Sequence, residues 1–148
     1  MLSPGSTYTE DFSATPESVP RARASVADFA RAAGAVGPTL EAIRLAASEA
    51  ITNAVLHAYH EPGGTVSVSA SCLPDELWLL VSDDGDGLQP GRDSRGLGLG
   101  LAVIAQLADE FQIVSRSTGG TQLQMRFRLE AAGSAGTPVS GECQPATL

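Results

Sequence analysis

Between positions 83 and 100 the chain reads DDGDGLQPGRDSRGLGLG, six glycines in eighteen residues. Glycine loses more conformational freedom on ordering than any other residue and costs about 1 kcal/mol relative to alanine inside a helix. The stretch is therefore expected to be a loop and not a regular element. An apolar run, Leu77 to Ser82 (LWLLVS), precedes it, and a short helical run, Leu101 to Asp109 (LAVIAQLAD), follows it. A strand leading into an acidic glycine turn, and a glycine run entering a helix, both let a ligand approach backbone N–H groups closely.

Hydrophobic periodicity supplies the other elements. Thr7 to Phe12 reads as a short strand with Tyr8, Glu10 and Phe12 on one face. Val19, Ala22, Val26, Phe29, Ala30 and Ala33 recur at helical spacing. That helix can start at Thr15-Pro16 or at Ser18-Val19-Pro20, and Gly34 is placed to end it. A second helix opens at Gly37-Pro38 and runs to about Tyr59, with Leu40, Ile43, Ala47, Ala50, Ile51, Ala54 and Ala58 on its apolar face. Thr65 to Ser71 (TVSVSAS) alternates as a half-buried strand does, and the more continuously apolar Leu77 to Ser82 is expected at the centre of the sheet. Phe111 to Arg116 and Gln122 to Leu129 form a hairpin, with Leu123, Met125, Phe127 and Leu129 facing one way. The order β-α-α-β-β-loop-α-β-β, with short turns between sequential strands, predicts a two-layer α/β (α+β) sandwich. Its mostly antiparallel sheet carries the helices on one face. One domain at 7–130 is expected, with 1–6 and 131–148 disordered.

Counting residues excludes several activities. The chain has no lysine; all nine of its cations are arginines. A Walker-type phosphate loop, a eukaryotic-type protein kinase and a Schiff-base enzyme each need one. The formal net charge of −8 argues against direct nucleic-acid binding. No apolar run approaches the ~20 residues of a membrane span, and Cys72 and Cys143 are expected to be reduced in a cytoplasmic protein.

Three constellations carry chemistry. In Glu49-Ala-Ile-Thr-Asn53-Ala-Val-Leu-His57 the polar residues recur every four positions, which drifts only ~40° around a helix. Glu49, Asn53 and His57 thus make one slanted stripe that borders the core, a carboxylate base beside a neutral oxygen ligand for a hard cation such as Mg2+. Asp83-Asp84-Gly85-Asp86-Gly87 puts a carboxylate at a strand end, where it can accept from an amino group. Gly96-Leu97-Gly98-Leu99-Gly100 runs into a helix, as phosphate-binding backbone does, although it lacks the Rossmann spacing. Gly119-Gly120-Thr121 is a weaker fourth signal. Taken singly, each has a plain structural reading: a solvated helix flank, an acidic turn, a flexible loop, a hairpin turn. In this order they describe an ATP site without a Walker loop.

The set resembles the GHKL (Bergerat-fold) ATPase and kinase superfamily. Glu49 to His57 is similar to its N box, Asp83 to Gly87 to its first glycine box, Gly96 to Gly100 to its second, and Thr121 to its final threonine. Within the superfamily, SEAITNAVLHAY (48–59) and ADEF (108–111) look like the anti-sigma-factor serine/threonine kinases of bacteria. The resemblance covers residues 7–129. It implies ATP and Mg2+ as cofactors. Asp83 would accept the adenine amino group, Gly85 and Gly87 would admit the nucleotide, and Asn53 would ligate Mg2+. Gly96, Gly98 and Gly100 would line the phosphates ahead of a helix N-terminus, and Thr121 would hold adenine. Glu49 would be the general base, and Arg95, by position, would face the γ-phosphate. The implied partners are a STAS-domain antagonist as phosphoacceptor and a sigma factor, with a homodimer as the usual assembly. The lid, Leu88 to Arg95, is eight residues and shorter than is common in the superfamily. That departure favours an alternative: an ATP-responsive sequestering protein with little or no kinase activity.

Overall fold

The structure is a computed structural model and describes residues 2–57, 63–85, 94–117 and 119–130, with the side chains of 57 and 94–99 left aside. The elements are β1 (Thr7–Ser13), α1 (Ser18–Ala32), α2 (Gly37–His57), β2 (Thr65–Leu73), β3 (Glu76–Asp83), α3 (Ser94–Leu107), β4 (Glu110–Ser115) and β5 (Thr121–Arg128). The strands form one sheet in the order β1-β2-β3-β5-β4, and every neighbouring pair is antiparallel. The apolar β3 is the central strand, as its composition predicts.

Alternation along the strands explains the two layers. Val66, Val68, Ala70 and Cys72 of β2, Leu77, Leu79 and Val81 of β3, and Leu123, Met125 and Phe127 of β5 are buried on the face that meets the helices. The intervening residues, such as Ser67, Trp78 and Gln124, are half-buried on the open face. There Arg126 lies between Glu76 (3.2 Å) and Glu110 (2.9 Å). Helix α2 is the middle of the helical layer, packed on the sheet below and on α1 and α3 at its sides. Half of its buried positions are alanine (Ala46, Ala47, Ala50, Ala54), and Ile43, Ile51, Asn53 and Val55 are the others. Small side chains let neighbouring helices come close, and each fully buried isoleucine contributes about 1.5–3 kcal/mol.

The first helix opens at Ser18, the second of its two expected starts. Thr15-Pro16 forms the turn into it, with the Ser18 N–H donating to the Thr15 carbonyl (3.0 Å). Pro20 is tolerated because the first-turn N–H groups have no intrahelical partner. At the other end Gly34 adopts φ 107°. The Ala35 N–H donates to the Ala30 carbonyl (2.9 Å) and the Gly34 N–H to the Arg31 carbonyl (3.0 Å), a Schellman closure.

Two expectations are corrected. Residues 2–6 are ordered: the Leu2 N–H donates to the Ala32 carbonyl (2.6 Å), the Gly5 N–H to the Cys72 carbonyl (2.7 Å), and the Cys72 N–H to the Ser6 carbonyl (2.9 Å). The two bonds to Cys72 continue the β1–β2 pairing past its last register pair, the bond to Ala32 ties the segment to the end of α1, and Leu2 packs on the core. The glycine run is not a loop throughout: α3 begins at Ser94, so Gly96, Gly98 and Gly100 lie within the helix. Packing of α3 against α2 outweighs their poor helix propensity, and at Gly100 the absence of a side chain is what the contact uses. The expected tail 131–148, the last turn of α2 to Tyr59, Cys143, Gly87 and residues 88–93 of the lid lie outside the described residues. Cys72 is buried and free. Among the described residues, no helix is long and apolar enough to cross a membrane.

Candidate functional site

One cleft is lined by Gly37, Pro38 and Thr39 at the start of α2 together with Leu129 and Glu130 just past β5. Helix α2 therefore begins over the end of the sheet where β5 finishes. Its last turns, with Glu49 and Asn53, lie toward the opposite end, where β3 finishes and β5 begins. Asp83 and Thr121 occupy that end.

On the helix side the structure brings together Glu49, Asn53 and Gly100. A Cβ on Gly100 would stand 3.2 Å from Asn53 Oδ1, 3.2 Å from Glu49 Oε1 and 3.3 Å from Asn53 Nδ2. The bare α-carbon of α3 thus lies directly on the polar stripe of α2. Because α3 covers it, Asn53 is buried, 9% exposed, deeper than helical arithmetic on α2 alone places it. Glu49 remains half-buried. The Asn53 Nδ2 is buried without a hydrogen-bond partner among the described residues. An unpartnered buried amide costs about 1–3 kcal/mol and points to a ligand that completes it. His57 ends the same stripe, but its side chain lies outside the described residues.

On the strand side the structure brings together Asp83, Gly85 and Thr121. Asp83 is the last residue of β3 and is 6% exposed. Its Oδ1 accepts from the Gly85 N–H (3.0 Å), and its carboxylate also accepts from the Thr121 N–H. Burial pushes the Asp83 carboxyl above its ordinary 3.8, and Asp84 adds to the rise. The two backbone donors and the Arg116 guanidinium pull the other way. Thr121 is itself buried.

Two residues that carried no role in the sequence shape this end. Arg116 donates through Nη1 to the Asp83 carbonyl oxygen (3.0 Å) and to Asp84 Oδ1 (3.0 Å). Gly120 adopts φ +88°, and a Cβ there would overlap the Asp83 carbonyl oxygen. The Gly119-Gly120 pair announces a hairpin, which is a legible signal. A single arginine at a strand end announces nothing until the hairpin is placed against β3.

The remaining expected residues are distributed as follows. Gly96 and Gly98 are helical, not in a loop before the helix, and Arg95 is in the first turn of α3 with its side chain outside the described residues. Gly87 lies outside them altogether. The donor set fits Mg2+. Among the described residues there is no cluster of three or more His, Cys, Asp or Glu that could cage an ion. Mg2+ is ordinarily held by one or two protein oxygens with phosphates and waters completing its shell, and the Asn53 amide beside Glu49 supplies that much.

Comparison with known proteins identifies the family and the fold. A family model described as a histidine kinase-like ATPase domain matches residues 12–127. The anti-sigma F factor of Clostridium acetobutylicum is 33% identical over 129 residues, covering 78% of this chain and 88% of that protein. The anti-sigma F factor of Clostridium kluyveri is 34% identical over 119 residues, covering 71% of this chain and 82% of that protein. Among solved structures, the RsbU and RsbW domains of Rv1364c from Mycobacterium tuberculosis superpose with a TM-score of 0.63 at 24% identity. That match covers 86% of this chain and 34% of the other, and it shows a shared fold.

Proposed function

This chain belongs to the histidine kinase-like ATPase domain family, and from that premise we propose that it is an anti-sigma factor with ATP-dependent serine/threonine kinase activity. The observation that carries the proposal is the contact of Gly100 on Asn53 and Glu49. That contact brings the Glu49 carboxylate, the Asn53 amide with its unpartnered nitrogen and the Gly100 backbone together, which supports reading them as a base, an oxygen ligand and a close approach for phosphate. Relatives named anti-sigma F factor support sigma-factor sequestration as the biological role.

The chain's own residues divide the work. Asp83 accepts the adenine amino group, Gly85 and Thr121 hold its carboxylate, the free N–H groups of the first turn of α3 face the phosphates, and the bare α-carbon of Gly100 lets that helix lie close to Asn53 and Glu49. Asn53 would ligate Mg2+, which when bound neutralises phosphate charge. Glu49 accepts the proton of an incoming serine hydroxyl as its oxygen bonds to the γ-phosphorus and ADP departs. Such acid–base help is typically worth 10²–10⁴-fold, with positioning supplying most of the rest. The proposed phosphoacceptor is a STAS-domain antagonist, and a homodimer is the proposed assembly. The eight-residue segment Leu88 to Arg95 favours one competing reading, a nucleotide-responsive sequestering protein with little phosphotransfer.

Melting with and without Mg-ATP tests the site. A ligand at about 100 times its Kd stabilises by ~2.7 kcal/mol, several degrees for a chain of this size. The expected result is a shift in wild type that vanishes in Asp83→Asn. Glu49→Ala separates the two readings: phosphotransfer should fall by at least about 100-fold with ATP affinity within a few-fold. Equal phosphotransfer in wild type and Glu49→Ala ends the kinase assignment. Nucleotide-dependent partner affinity with no phosphoserine by mass spectrometry establishes the sequestering one.

A further inference from the structure

The contacts around Asp83 come from one hairpin. Arg116 follows the last residue of β4, and the turn fixes its backbone: its N–H donates to the Gly120 carbonyl (3.1 Å) and its carbonyl accepts from the Gly119 N–H (3.0 Å). From that fixed point the guanidinium reaches across to the end of β3, where one nitrogen donates to both the Asp83 carbonyl and the Asp84 carboxylate. Thr121, on the other side of the turn, donates its N–H to the Asp83 carboxylate. Gly120 lies between them, flat against the Asp83 carbonyl. Backbone and side chain of Asp83 are thus gripped by the same turn.

Stability alone is a weak account of the arginine. The Arg116 and Asp84 side chains are 34% and 67% exposed, and ion pairs that open to solvent contribute little to folding. The bond to the Asp83 carbonyl is different, because it bears on a buried residue whose orientation decides where its free lone pairs point. A carboxylate has about four accepting sites, and Gly85 and Thr121 occupy two, leaving capacity for an exocyclic amino group.

We propose that Arg116 is a positioning residue for base recognition. By holding the Asp83 carbonyl and engaging Asp84, it sets the Asp83 carboxylate in the orientation that accepts the adenine amino group and keeps the neighbouring carboxylate from competing for it. The inference rests on the nucleotide reading above and extends it to a residue outside the glycine boxes and the N box. Among the described residues, the charged groups that face Asp83 are Asp84 from its own turn and Arg116 from the hairpin. Removing the cation should therefore raise the pH at which Asp83 takes a proton, and neutralising Asp84 should lower it.

The test is isothermal titration of the full chain with Mg-ADP, Mg-ATP and Mg-GDP across pH, for wild type, Asp83→Asn, Arg116→Gln, Arg116→Lys and Asp84→Asn, with melting recorded in parallel. Arg116→Gln should weaken ADP about tenfold, as loss of a charge-assisted hydrogen bond does. It should narrow the ADP-over-GDP preference, leave the ATP-to-ADP ratio unchanged, and move the acid limb of binding to higher pH. Arg116→Lys should restore part of the affinity. Asp84→Asn should stay within about threefold of wild type and move the acid limb to lower pH. Unchanged ADP affinity and acid limb in Arg116→Gln, with only melting lowered, overturns the inference while leaving the nucleotide site standing. Absence of nucleotide binding by wild type, or binding unaffected by Asp83→Asn, overturns the underlying reading and this one with it. If Arg116→Gln does not fold, Arg116→Lys decides the matter: weaker ADP binding with a narrowed ADP-over-GDP preference supports the inference, and affinity and preference equal to wild type overturn it.

Discussion

The two ends of the candidate site are built in opposite ways. Around Asp83 the protein supplies the partners: Gly85, Thr121 and Arg116 converge on one residue, and Gly120 closes against its carbonyl. Around Asn53 the protein stops short. A buried amide nitrogen is left without a partner, and a glycine keeps open the space a side chain would fill. The first arrangement suits a rigid, uncharged base read by fixed hydrogen bonds. The second suits a charged, hydrated phosphate–metal group whose ligands arrive with it. A preorganised reader is assembled by folding, whereas a receptor for phosphate carries an unmet polar group until its ligand binds.

Gly120→Ala should give the largest effect, because it breaks the closed end. The new Cβ overlaps the Asp83 carbonyl at a left-handed φ, so about 3 kcal/mol of stability should be lost, roughly 10 °C in Tm. The Mg-ATP shift should disappear with it; a fully folded, nucleotide-binding Gly120→Ala would show that the hairpin does not bracket Asp83.

Gly100→Ala tests the open end and should separate stability from binding. Alanine improves helix propensity by up to about 1 kcal/mol, offset by its 3.2 Å approach to Asn53 and Glu49, so Tm should stay within about 3 °C of wild type. The stabilisation by Mg-ATP should nonetheless be lost. A retained shift would remove the phosphate role from this contact.

The smallest effect concerns pH. Burial raises the Asp83 carboxyl, so its contribution to folding is fully present below the ordinary 3.8 and is lost as pH rises through the raised value. Nucleotide affinity should run the other way, since adenine donates to the ionised form. It should weaken on acidification with a midpoint above 3.8, readable by titration from about pH 4 to 7. An affinity that stays flat over that range would mean that Asp83 is not the acceptor.

The fold was legible where side-chain period matches secondary structure. The alternation of Thr65 to Ser71 and of Gln122 to Leu129, and the alanine-rich face of α2, led to the right elements in the right layers. Glu49, Asn53 and Asp83 stood out as candidates because polar residues at helical spacing and carboxylates at strand ends are local patterns, whereas Thr121 was singled out by the family resemblance. The start of α3 was not, because local propensity places Gly96, Gly98 and Gly100 in a loop, whereas Gly100 meets α2 at Asn53 and Glu49, about fifty positions earlier in the chain and beyond any local rule. The ordering of residues 2–6 was missed for a similar reason: their hydrogen bonds run to Cys72 and Ala32, not to neighbours.

Sequence alone therefore determined which chemical groups this protein has and on which elements they ride: no lysine for a Walker loop, a Glu–Asn stripe on one helix, a carboxylate at the end of the central strand. Tertiary structure alone decided how those groups are finished. It buried Asn53 beneath Gly100 and left its amide unpaired, and it carried Arg116 across to Asp83. Both depend on contacts between segments remote in the chain, and such contacts are set by how layers pack, not by the periodicity within any one element.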